Sequence, residues 1–87
     1  KRGIIMDKLL ETRNQIDAID NQLMELLDKR YDLSIEVGNI KKENNSHILD
    51  SNREKIILNK TTNLRHSQAI KNVYISIMEQ SKKLQRK

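Results

Sequence analysis

Apolar residues recur through the first half of the chain at Ile16, Ile19, Leu23, Leu26, Leu33, Val37 and Ile40, in steps of three and four, and Arg30 occupies the one position where the series calls for another. This is the spacing of a heptad seam along one helix. Extended backward, the series takes in Leu9 and Ile5, with Thr12 as a second interruption, and predicts a helix from about Ile4 to about Glu43. Some forty residues at about 1.5 Å each span roughly 60 Å, whereas a compact domain of this length has a diameter on the order of 30 Å. Such a helix is too long for its own globule. An extended coiled coil and an intertwined dimer both account for it, and both require a second chain.

The polar stretch Asn44-Asn45-Ser46-His47 ends this helix with turn chemistry. Ser51 and Glu54 then fit an S-x-x-E capping box, with Asp50 an equally good N-cap one residue earlier. A short helix from about 52 to 60 follows, carrying Ile56, Ile57 and Leu58. Thr61-Thr62-Asn63 makes the next turn. Ile70, Val73, Tyr74, Ile77, Met78 and Leu84 then mark one face of a third helix, about 67–85, and Ser81 and Gln85 lie on that same apolar face. The expected protomer is all-α, with three helices in a single domain covering 1–87.

Composition agrees. No Pro and only two Gly leave little to interrupt helices, and with 36% hydrophobic residues, no Phe, no Trp and two Tyr any core is aliphatic and thin for one isolated chain. The longest apolar runs are short triplets such as Ile4-Ile5-Met6, so neither a membrane span nor a secretory segment is expected and a soluble cytoplasmic protein is. The lack of cysteine removes disulfides, thiolate metal sites and cysteine nucleophiles. His47 and His66 are isolated from other ligating residues, so no metal site is expected. A net charge of +5 suits an anionic partner without choosing among nucleic acid, an acidic protein and a small polyanion.

A guanidinium at a seam position is costly to desolvate without an anion. A carboxylate on a neighbouring helix and a bound ligand both answer that need for Arg30. Ser34, Val37 and Lys41 follow it at steps of four, three and four and share its face, so a second cation looks the same way. Arg30 and Lys41 lie about 16 Å apart along the axis, near enough for two long side chains to lean onto one small dianion. Arg13 is about 25 Å from Arg30 on the same helix and joins the same ligand only from a partner chain in an antiparallel pair. Periodicity alone equally allows Arg13 and Arg53 to be surface charges, Lys41 a solvated helix-end cation, and Asp50 and Glu54 capping residues. Ser81 and Gln85, one turn apart on an apolar face, need partners and suit either a local bond or a polar cavity.

Taken together, Arg13, Ile16-Asp17-x-Ile19-Asp20, Lys29-Arg30, Glu36-Val37-Gly38-x-x-Lys41, Asp50-x-x-Arg53-Glu54 and Glu79-x-Ser81-x-x-x-Gln85 resemble the all-helical AroQ class of chorismate mutases over nearly the whole chain. The stretch from Glu54 to Ser81 is several residues shorter than the family pattern. The resemblance implies an intertwined homodimer with shared active sites that rearranges chorismate to prephenate without a cofactor, in aromatic amino-acid biosynthesis. It implies that Arg30 and the partner chain's Arg13 grip the substrate carboxylates, that Lys41 and Gln85 donate to the ether oxygen, and that Glu54 accepts from the ring hydroxyl. Asp50, Arg53 and Ser81 then complete the pocket, and Gly38 sits near it, where a missing side chain admits a neighbouring helix.

Three other readings compete: an isochorismate-pyruvate lyase on the same scaffold, a regulatory domain of a shikimate-pathway enzyme, and a basic nucleic-acid-binding protein. The first lacks support from the full Lys41, Glu54 and Gln85 set. The last draws on Lys82-Lys83 and Arg86-Lys87, which read more simply as a solvated tail, and two tyrosines offer little base stacking. No nucleic-acid partner is expected.

Overall fold

The computed structural model describes residues 2–87 and, among them, contains three helices and no strand: α1, Arg2–Glu43; α2, Ser51–Asn59; and α3, Ser67–Gln85. These match the three expected segments to within two residues. The chain divides into two compact units, Lys1–Arg30 and Tyr31–Lys87, with α1 continuing through the boundary.

The first unit is helical throughout its described residues. Its apolar side chains are largely uncovered, including the seam residues Ile16, Ile19, Leu23 and Leu26, with Leu23 at 52% exposure. The seam has no cover within this unit, whereas most helical stability in proteins comes from burying such a face.

The second unit holds the end of α1 together with α2 and α3, and its buried apolar residues are Ile77 and Met78 of α3. Ser34, Gly38, Thr61 and Ser81 are also buried. The core here is small and rich in polar and small residues. Seam residues Leu33, Val37 and Ile40 remain exposed.

The end of α1 and the start of α2 have local causes. Asn45 adopts the left-handed conformation at φ 55°, and the Ser46 amide donates to the Lys41 carbonyl at 2.8 Å while the Asn45 amide donates to the Lys42 carbonyl at 3.3 Å. This pairing is a Schellman ending, with Asn where Gly is commonest. Of the two candidate N-caps of α2, Asp50 is used: its Oδ1 accepts from the Arg53 amide at 3.0 Å. The passage from α2 to α3 is a run of tight turns in which amides donate three residues back, from Lys60 to Ile57, Thr61 to Leu58, Thr62 to Asn59, Leu64 to Thr61 and Ser67 to Leu64. The Thr61 hydroxyl also donates to the Leu58 carbonyl at 2.7 Å. Short 3₁₀-type steps keep the backbone groups paired along this abbreviated segment.

Candidate active site

The end of α1 meets the end of α3 at Gly38. A β-carbon built there would lie 2.6 Å from the Gln85 carbonyl oxygen and 2.7 Å from its α-carbon. Only a residue without a side chain allows this backbone approach. One turn further along α1, the Lys41 ammonium donates to the Ile48 carbonyl at 2.8 Å and lies 3.5 Å from Gln85 Oε1. Lys41 is thus tied twice to the segment after α1, by its carbonyl in the helix ending and by its side chain at Ile48. It is half-buried, as is Gln85, and Ser81 one turn before Gln85 is 5% exposed. With its amide oxygen turned to Lys41, Gln85 keeps its NH₂ group as a donor.

The beginning of α2 adds carboxylates. Because Asp50 is the N-cap, Glu54 takes no part in a capping box and turns instead to α3, where its Oε2 lies 3.2 Å from the Lys82 ammonium. The same ammonium lies 2.9 Å from Glu79 Oε1. Lys82 is raised above its ordinary value by the hydrogen bonds with Glu79 and then Glu54, and Glu79 is lowered, chiefly by its bond to Lys82. Lys82 is therefore not a solvated tail charge: its side chain is 18% exposed and joins α2 to α3.

Within the second unit Lys41 of α1 thus meets Gln85 of α3, Glu54 of α2 meets Lys82 of α3, and Ser81 is buried one turn before Gln85, with Asp50 and Arg53 exposed at the start of α2. Arg13 is exposed and Arg30 half-buried, both in the first unit. The full burial expected of a seam position is not met at Arg30 within one chain, because the neighbouring seam residues are themselves uncovered. Sequence reasoning missed Lys82. Its spacing of three from Glu79 was a readable helical pair, but its bond to Glu54 joins residues brought near only by the packing of α2 on α3.

Among the described residues no cluster of His, Cys, Asp or Glu is suited to hold a metal ion, and no helix is long and apolar enough to cross a membrane.

The family model described as chorismate mutase type II matches residues 12–86. A bifunctional chorismate mutase/prephenate dehydratase of Buchnera aphidicola subsp. Schizaphis graminum is 38% identical over 84 residues, which cover 91% of this chain and 22% of that protein. Its counterpart in Buchnera aphidicola subsp. Baizongia pistaciae is 34% identical over 82% of this chain and 19% of its own length. A chorismate mutase of Methanocaldococcus jannaschii is 37% identical over 69% of this chain and 61% of its own length. The chain therefore spans about a fifth of the two bifunctional relatives.

Proposed function

Because the chain belongs to the chorismate mutase type II family, we propose that it is an isomerase converting chorismate to prephenate in the cytoplasm, as a step of aromatic amino-acid biosynthesis. The observation that carries the reading is the meeting of Lys41 with Gln85, residues far apart in sequence whose polar ends stand 3.5 Å apart, with Ser81 buried one turn before Gln85. The Lys41 ammonium and the Gln85 carboxamide, whose oxygen accepts from Lys41 while its NH₂ group remains a donor, suit an oxygen that gains negative charge.

The rearrangement is intramolecular: the ether C–O bond breaks as a new C–C bond forms, with no nucleophile and no covalent intermediate. The protein's work is to hold the compact reactive conformer and to stabilise charge on the ether oxygen. Lys41 supplies an ammonium to that oxygen and Gln85 its free NH₂. Glu54 accepts from the ring hydroxyl. Arg30 clamps one carboxylate through its planar fork, and Arg13 of the partner subunit clamps the other. Asp50, Arg53 and Ser81 complete the pocket. The domain, 1–87, works as an intertwined homodimer with shared sites, a reading supported by the uncovered seam along α1, since exposed apolar faces of this extent mark association surfaces.

The test is direct. Purified protein incubated with chorismate and a metal chelator is expected to form prephenate, followed by loss of chorismate absorbance. No prephenate from folded protein would overturn the assignment.

A further inference from the structure

Lys82 stands on α3 between Ser81 and Gln85, and Met78, Ser81, Lys82 and Gln85, in steps of three, one and three, share one helical face. Its ammonium is held between two carboxylates, Glu79 of its own helix at 2.9 Å and Glu54 of α2 at 3.2 Å. The first of these is an exposed pair within one helix, with Glu79 at 57%. The second differs in kind: it crosses between elements, both side chains are mostly covered, and its acidic member is the carboxylate assigned above to the substrate's ring hydroxyl.

From this geometry we infer that Lys82 is a positioning residue for the rearrangement, holding the Glu54 carboxylate in place through the 3.2 Å ion pair, without itself touching substrate. The inference rests on the mutase reading and on the role given there to Glu54. A glutamate side chain has three rotatable bonds, and α2, a helix of only nine residues with no buried residue, gives its carboxylate little packing to lean on. One oxygen pinned by Lys82 leaves the other free to accept from a hydroxyl in a fixed direction. Glu79 plays the complementary part: from its own turn of α3 it holds the same ammonium at 2.9 Å and so restricts where Lys82 can reach. Small misplacement of a group that orients substrate is felt mainly in turnover.

A double-mutant cycle separates this from a merely structural role. Lys82→Met keeps the unbranched stem and removes the charge. It is expected to lower kcat/KM roughly ten-fold, mostly through kcat, in the otherwise wild-type protein, yet less than about two-fold in the Glu54→Gln background, because the partner it acts on is already lost. Lys82→Arg, which restores the ion pair, is expected to stay within roughly three-fold of wild type. Equal losses in both backgrounds, no loss from Lys82→Met, or no rescue by Lys82→Arg would each overturn the role. Should Lys82→Met melt below the assay temperature, the arginine variant decides alone: it folds with the pair intact, and loss of activity there overturns the role while retained activity supports it. Failure of the wild-type protein itself to turn over chorismate would instead defeat the reading of function, and the role of Lys82 with it.

Discussion

A β-carbon at Gly38 would press on the backbone of Gln85, not on the flexible end of a side chain, so relief requires one helix to shift. In an open helix Gly→Ala stabilises by about 1 kcal/mol. Here overpacking of about 1–3 kcal/mol opposes that gain. Gly38→Ala is therefore expected to lower stability in urea melts and, by displacing Gln85 from Lys41, to reduce kcat/KM at least ten-fold. A stable, fully active variant would show that the helices slide apart freely and that the Lys41–Gln85 separation does not matter. The sequence marks Gly38 through the family resemblance, as a place where a missing side chain admits a neighbouring helix, and the structure identifies the backbone of Gln85 as what approaches it. Arg30, by contrast, announced itself by interrupting a seam. Asp50, Glu54, Ser81 and Gln85 each admit an ordinary capping or packing explanation, and Arg13, Lys41 and Arg53 an ordinary surface one. The structure chose between those explanations for Asp50, which caps α2, and for Glu54, which does not.

The Lys82–Glu54 ion pair crosses from α3 to α2, and Glu79 shares the same ammonium. Glu79 titrates below its usual 4.5 because Lys82 donates to it, with Lys83 and Arg86 adding attraction. Its ionised form is favoured in the folded state, so its contribution is complete above 4.5 and is lost as pH falls through the depressed value. Lys82 titrates above its usual 10.5, chiefly because of Glu79 and then Glu54, so it stays charged across this range. The Tm of Glu79→Gln should thus lie slightly below wild type near neutrality, and the gap should close in acid, below pH 4.5. Scanning calorimetry from about pH 3 to about pH 8 reads this; a gap that persists unchanged in acid would assign the difference to packing rather than to the ion pair. Helix positions themselves were legible from periodicity and turn residues, since caps and apolar spacing are local properties. Which N-cap wins is settled by the bond from the Arg53 amide to Asp50, and the short stretch 60–66 keeps its backbone bonded through amides donating three residues back and through the Thr61 hydroxyl.

At the scale of the whole molecule, the proposed site draws Arg30 and Arg13 from different chains, and this makes a sharp expectation. Arg13→Ala and Arg30→Ala homodimers should each be nearly inactive, while mixing the two under conditions of subunit exchange should restore about a quarter of wild-type activity, since only mixed dimers rebuild one intact site. Restoration of none would place both arginines in service of one chain, or of no shared site. Sedimentation of the wild type should give twice the 10.3 kDa chain mass. By itself, the sequence determined the three helices, their ends and the uncovered seam, because hydrophobic spacing, capping and turn propensity act over a few residues. It also marked Arg30 as the interruption of that seam, a position where burial against a partner would call for an anion. Only the tertiary structure decided that Gly38 admits the backbone of Gln85, that Lys41 reaches both Ile48 and Gln85, and that Lys82 belongs to Glu54. Those pairings depend on how separate helices cross, and no local pattern along one chain encodes the distance between atoms that meet only after packing.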